Sequence, residues 1–540
     1  MDLKEKILTD FPEAQFAESG ELTVTVKPES LHDLAAKLKN ELRFDYLRSL
    51  TGCDWGEAGF GVVYHLEATS TGNHLVVKTA TTNRTKPGLP TVCDIWRTAE
   101  FNEREVYDYY GVTFTEHPDM RRLYLRDDFT GYPLRKDFDE SEELNPIPVT
   151  NEIIDDTTTT YKIDNQGRTS ERINTIFDNE EYVINIGPQH PATHGVLRFR
   201  VSLEGETIKK LDVHCGYIHR GIEKMCESLT YPQALALTDR LDYLGAMQSR
   251  HALCMCVEKA VGIEISERVQ YIRTIMDELQ RIDSHLLFYS TLCMDLGALT
   301  AFFFGFRDRE HILDIFEETC GGRLILNYNT IGGVQADLHP DFVKKVKDFI
   351  KYLRPQLKEY HDIFTGNIIA HERMKGVGVL SREDAISYGA GGGTGRASGW
   401  ACDVRKRIPY AMYDKLNFKE ITFSEGDCFA RYMVRMDEII ESMNIIEQLI
   451  DNIPEGACQT KTKAIIKLPE GIYYQAVESS RGEFGVFIES RGDKFPYRMK
   501  FRSTGLPLVS AIETISRGAK IADLIAIGGT LDYIVPDIDR

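Results

Sequence analysis

The chain has 540 residues, 42% of them hydrophobic and 27% charged, with a formal net charge of -19. That length exceeds what one hydrophobic core covers, so two or more domains are expected, and the acidic balance excludes the basic face that nucleic-acid binding requires. The eleven cysteines are scattered without any C-x-x-C pair, and the start, Met1-Asp2-Leu3-Lys4-Glu5-Lys6, has no apolar signal-peptide core, so reduced thiols in a cytoplasmic protein are expected.

In chain order, residues 1–138 read as an α+β unit with strand-like runs at Gly61–Leu66 and Leu75–Ala80. From 139 to 181 twelve Asp and Glu stand against three Lys and Arg, around a tract of four threonines at 157–160, which reads as an acidic linker over a surface. Next, Tyr182–Ile186 and Val196–Val201 alternate apolar and polar residues, while Gly187, Pro188, Pro191 and Gly195 break the segment between them. This predicts strand, tight loop, strand, with His190 and His194 on the loop. Two histidines four apart suit a zinc site on a helix face, but Pro191 excludes the helix. Their plain alternative is a pair of exposed loop side chains.

Long helical patterns follow at 231–261, 266–305, 340–365 and 430–452, so residues 182–540 are expected to open with a small β region and continue as a buried helical bundle. The stretch 286–306 is almost wholly apolar, but Asp295, Gly297 and Gly305 interrupt it, which favours a helix buried in protein over a membrane span. Asp295 is either a core acid satisfied by backbone donors or an acid placed to orient a partner such as a histidine. Residues 389–395 are glycine-rich but lack the lysine of a P-loop, and read as a flexible loop. Cys254 and Cys256 read as core thiols. Tyr243, taken alone, reads equally well as a core ring with a wet hydroxyl.

Both blocks resemble a known family. The run Glu103-Arg104-Glu105-Val106-Tyr107-Asp108-Tyr109-Tyr110-Gly111-Val112, continued by His117-Pro118-Asp119-Met120-Arg121-Arg122-Leu123, resembles the signature of the C subunit of respiratory complex I. Four further segments resemble its D subunit: 187–198, Gly216-Tyr217-Ile218-His219-Arg220-Gly221-Ile222-Glu223-Lys224, Asp239-Arg240-Leu241-Asp242-Tyr243 and Glu478-Ser479-Ser480-Arg481-Gly482-Glu483. The resemblance implies a fused C/D subunit of a proton-translocating NADH-quinone oxidoreductase, with a C-like domain at 1–138, the linker at 139–181 and a D-like domain at 182–540.

The D subunit is related to the large subunit of nickel-iron hydrogenases, which offers a second reading. Such an enzyme holds nickel and iron with two C-x-x-C pairs of soft thiolates. The positions that should carry them are Asp242, Gly245, Ile534 and Asp537, and none is cysteine. A third reading is a purely structural scaffold; the joint presence of His194, Tyr243 and Asp295 argues against it. In complex I the emptied metal site holds the quinone head, and the resemblance assigns its partners to His194 and Tyr243, with Asp295 coupled to His194. A tyrosine O–H and an imidazole N–H are neutral donors suited to the two carbonyl oxygens of a quinone, and a histidine can supply a proton as charge builds on them. His190, Arg220 and Arg240 are expected around the pocket or the neighbouring cluster.

No cysteine set here suits an iron–sulfur cluster or a metal, so the resemblance places the terminal [4Fe-4S] cluster in an adjacent B subunit. It also implies contact with the I subunit and the membrane H subunit, peripherally on the cytoplasmic side of a bacterial inner membrane. One departure stands out. Many relatives carry Arg-Met-His before a Gly-Gly-Val; here the segment reads Gly322-Arg323-Leu324-Ile325 and runs on to Gly332-Gly333-Val334, with Ile325 in the histidine's place. Without that imidazole the neighbouring cluster should have a low, nearly pH-independent potential, suited to menaquinone.

Overall fold

The computed structural model describes residues 3–17, 21–139, 156–163, 169–178, 180–189 and 195–540. The fold is α+β, as expected. The N-terminal block is built on a five-stranded sheet in the order Gln15–Ala17, Thr23–Thr25, Asn73–Thr81, Phe60–Ala68, Tyr46–Asp54. Helix Pro28–Asn40 buries Leu31, Leu34, Ala35 and Leu38, the i, i+3, i+4, i+7 stripe of an amphipathic helix. Helix Thr98–Tyr110 carries the first half of the motif at 103–123 and ends on Gly111 in the left-handed conformation.

Within the segment read as a linker, the threonine tract forms strand Thr157–Ile163, paired antiparallel with Thr169–Thr175 and joined to the N-terminal block by Thr115↔Tyr161. Acidic composition hides this hairpin, whereas β-branched threonines favour a pleated surface.

The second block opens with the antiparallel sheet Tyr182–Ile186, Arg198–Glu204, Thr207–His214, registered so that Ile186 faces Phe199. The two expected strands therefore form and pair, while the expected loop histidines, His190 and His194, lie outside the described residues. The helical bundle follows, with Glu267–Asp295 buried along most of its length and packed against Leu299–Cys320 and Cys428–Leu449. Ser266 caps the first by accepting from the Val269 N–H, and Asp427 caps the last by accepting from Ala430 at 2.7 Å. No helix of the described residues is long and apolar enough to cross a membrane.

Two helical patterns break where the sequence suggested continuity. The first becomes helices Tyr231–Thr238 and Ala246–Val261, separated by a turn that carries Tyr243. The second ends at Asp295 and restarts at Leu299, because Gly297 adopts φ +85°. Asp295 is thus the last residue of a helix, not the middle of one. The glycine-rich stretch is also no flexible loop: Gly392–Ala397 is a fully buried helical turn, and a Cβ at Gly392 would sit 2.3 Å from the Arg481 carbonyl oxygen.

One hydrophobic core runs through both blocks. At the seam, strand Arg498–Arg502 lies beside the edge strand Tyr46–Asp54. Arg498 donates to the Gly52 carbonyl, Lys500 to Leu50 and Arg502 to Arg48, at 3.1, 2.7 and 3.1 Å. Alternate side chains share one face of a strand, so three buried cations cap edge carbonyls that would otherwise be open to another strand.

Candidate functional site

Tyr243 and Asp295 come from different helix ends and line one cavity of about 80 Å³, with Phe288, Arg481, Asp532 and Tyr533 among its walls. Tyr243 is half-buried in the turn between two helices. The turn is fixed by Asp242, which is fully buried, accepts from the Leu244 N–H and pairs with Arg481 at 3.1 Å. Arg481 sits at the tip of the hairpin formed by Gly471–Ser479 and Gly482–Ser490 and makes a second ion pair with Asp532 at 3.2 Å. Asp532 in turn lies 3.4 Å from Arg435. Burial raises the Tyr243 pKa, and the Asp242 and Asp532 charges add to this while the Arg481 cation opposes it. The phenol is therefore a neutral hydrogen-bond donor through the neutral range. Burial, reinforced by Asp295, likewise raises Tyr533.

The four positions where a hydrogenase-like site would carry thiolates converge here. A Cβ on Gly245 would meet the Asp242 carboxylate at 2.7 Å, and Ile534 lines the same cavity. The Asp537 charge acts on Asp242, and both carboxyls are fully buried. Asp242 holds Arg481, and Asp537 Oδ2 accepts from Ser503, from the Thr504 hydroxyl and from the Thr504 and Gly505 amides. A guanidinium paired with carboxylates, without a thiolate, is a donor set that does not suit nickel.

Another ligand-rich group among the described residues is Cys93, Glu103 and His117 in the first block. There His117 Nδ1 accepts from the Asp119 N–H, and Nε2 lies 3.0 Å from the Glu100 carbonyl. Nε2 must then carry the proton, so the ring offers no lone pair to a metal. Cys254 and Cys256 are buried, and burial pushes both thiols up to about 12, which makes them inert core residues.

Arg220 and Arg240 lie together at the surface, with Arg220 donating to the Arg240 carbonyl at 3.3 Å; neither lines the Tyr243 cavity. Larger clefts exist, of about 410 and 700 Å³, but they lie along the seam between the blocks and away from Tyr243. In the first, Arg104, Arg121, Arg122 and Arg126 are each already paired with an aspartate.

Comparison with known proteins adds the family. The model for the 30 kDa subunit of respiratory-chain NADH dehydrogenase matches residues 24–143, and that for the 49 kDa subunit matches 295–467 and 461–540. The C/D subunit of the NADH-quinone oxidoreductase of Phocaeicola vulgatus is 76% identical over 517 residues, covering 96% of this chain and 99% of that protein. The chain belongs to the C/D-type family of NADH-quinone oxidoreductase subunits. The C/D protein of Bacteroides thetaiotaomicron is 71% identical over 525 residues, covering 95% of this chain and 99% of its own. A separate D protein of the NADH-quinone oxidoreductase of Bacillus cereus is 44% identical over 361 residues, 67% of this chain and 99% of that protein. The C/D family thus extends a unit that occurs elsewhere as a protein of its own. Its complex I membership agrees with the motifs at 103–123 and 478–483.

Within this C/D chain, the sequence marked Tyr243 and Asp295 but gave no role to Arg481, Asp532 or Tyr533. Arg481 lies inside the motif at 478–483, and that was the available signal. Asp532 and Tyr533 carried none, because only folding brings the C-terminal segment against Tyr243.

Proposed function

We propose that the cavity beside Tyr243 is the inner part of a quinone-head site, and that the chain reduces quinone there with electrons from a [4Fe-4S] cluster held by an adjacent B subunit. One observation carries the reading: Tyr243 and Asp295 face one cavity, whose wall also includes Tyr533 and Ile534. Gly195, next to His194 in sequence, packs so closely on Val535 that a Cβ would meet its side chain at 2.2 Å. Tyr243 O–H donates to one quinone oxygen and the His194 imidazole to the other, with Asp295 behind the histidine favouring its protonated form. When bound, the cluster in the neighbouring subunit supplies single electrons, while this chain orients the ring and delivers protons. A cavity of about 80 Å³ is far below the about 300 Å³ of the smallest ligand pockets, so the B subunit forms the remaining wall. The surface pair Arg220 and Arg240, with His190, belongs to the surroundings of that wall and its cluster. The I subunit and the membrane H subunit complete the neighbourhood, which places the chain peripherally on the cytoplasmic side of the inner membrane. Ile325 favours menaquinone as the quinone.

Tyr243→Phe tests this. It removes one oxygen and keeps the ring, so the complex should assemble and still pass electrons from NADH to an artificial acceptor. Quinone reduction should fall on the order of 10²-fold, the cost of one donor to developing negative charge. Normal quinone turnover by the assembled variant would sink the assignment.

A further inference from the structure

Behind the cavity, two facing helices present paired rungs. On helix Glu267–Asp295, Phe288 lines the cavity and His285 lies three residues earlier, about 5 Å along the axis. On helix Cys428–Leu449, Arg435 stacks on the Phe288 ring at 4.5 Å and reaches the cavity residue Asp532, and Glu438 lies three residues later. The second rung is itself a contact: His285 Nε2 donates to Glu438 Oε2 at 3.1 Å. Both residues are buried, His285 completely.

The carboxylate fixes the tautomer. With the proton on Nε2, Nδ1 is an acceptor, and it has no hydrogen-bond partner. Nδ1 is thus the open protonation site of the ring. The charges that face the ring are Glu438 and Arg435 from the opposite helix and Arg281 from its own. Glu438 is also held by Arg396 at 2.7 Å and Arg405 at 3.3 Å. Burial and the two arginines keep the imidazole neutral, with its pKa below the usual value, while Glu438 pulls the other way.

We propose that the His285–Glu438 pair is a proton-accepting station for the cavity, taking one proton from solvent onto His285 Nδ1 when negative charge forms beside Phe288 and Tyr243. The electron is supplied by the NADH-linked activity, the proton adds to a lone pair, and no other bond changes. The imidazolium formed is held by Glu438, and the extra positive charge offsets the charge in the cavity. His285 is a positioning residue here, because it acts through charge and does not touch the quinone. The inference rests on the quinone-head reading and goes beyond it by adding a second histidine, remote from the ring. At an effective dielectric constant near 20, a unit charge about 12 Å away moves a buried group by about one pH unit, and a nearer one by more.

Histidine C2–H exchange, read by mass spectrometry on the intact complex between pH 5 and 9, follows one imidazole at a time. The His285 midpoint should rise by about one unit between the oxidised and the NADH-reduced complex. An equal midpoint in the two states, or no exchange in either, overturns the proposal, since a group protonated from solvent must exchange. A second arm uses His285→Gln in the assembled complex with a short-chain quinone analogue. KM should stay within about twofold while kcat falls about tenfold, and the pH–rate profile should lose one ionisation. A lower kcat with an unchanged profile would reduce His285 to a packing role. Tyr243→Phe, run alongside, separates the two failures: normal turnover there removes the quinone-head reading itself, whereas impaired turnover with a static His285 removes only the station.

Discussion

At the scale of single residues, the site is a set of donors and charges whose balance can be shifted one atom at a time. Asp295→Asn keeps the shape of the helix end but cannot stabilise an imidazolium. If Asp295 supports His194, the pH optimum for quinone reduction should move towards acid, where the histidine still protonates without help. A pH profile and rate identical to the parent would make Asp295 a structural acid. Ile325, half-buried in the segment between helix Leu299–Cys320 and the short strand at Asn329, offers no titrating group. Redox titration of the assembled complex at several pH values should therefore give a nearly flat cluster potential, and a slope of about 60 mV per unit, one proton per electron, would count against it. Tyr243 and Asp295 were legible because each stands out locally, a tyrosine in a motif and an acid in an apolar run. Arg481 and Asp532 were not, because a buried ion pair between distant residues leaves no mark in either local sequence.

At the scale of elements, the site depends on where helices stop. Hydrophobic periodicity continues across Asp239–Gly245 and across Leu296–Ala298, so pattern alone predicted unbroken helices there. Both breaks coincide with features that periodicity does not report: the buried Asp242–Arg481 pair in the first, and Gly297 at positive φ in the second. The first break puts Tyr243 in a turn that lines the cavity, and the second leaves Asp295 at a helix end beside it. The glycine turn at 392 serves the same end by letting the chain approach the hairpin tip that bears Arg481. Gly392→Ala combines a left-handed φ of +59° with a clash against backbone. A loss of ~3 kcal/mol is expected, read as a lower melting temperature and a smaller yield of assembled complex. Stability equal to the parent would show that the turn can move and that the close approach is not required.

At the scale of the whole molecule, the two blocks behave as one body because charged residues from each are buried in the other. Glu105 of the first block holds Lys500 at 2.7 Å and Arg540 at 2.6 Å, and Arg540 also reaches Glu223 at 3.3 Å. Although burial alone would raise it, the Arg540 and Lys500 cations bring the Glu105 carboxyl down to about 2. A depressed carboxylate contributes stability that is present above its unfolded pKa, near 4.3, and is lost as pH falls through its folded value. Its share of the stability should therefore decline between about pH 4.5 and 2. Glu105→Gln should cost about 3–5 kcal/mol at neutral pH, since it strands two buried cations, and should flatten that acid decline. Denaturant unfolding at pH 7 and 3 checks both, and an unchanged acid slope would mean that other carboxylates carry it.

The sequence by itself determined the family, the α+β class and the order of the two blocks, because these rest on local motifs and composition. Only the tertiary structure decided that Tyr243 and Asp295 share a cavity, that Arg481 pairs with Asp242 and Asp532 beside it, and that threonines inside an acidic stretch form a hairpin. Those features arise from contacts between residues hundreds of positions apart, such as Asp242 with Arg481 and Glu105 with Arg540. The free energy of such a pair depends on burial and geometry, which exist only after the chain has closed on itself.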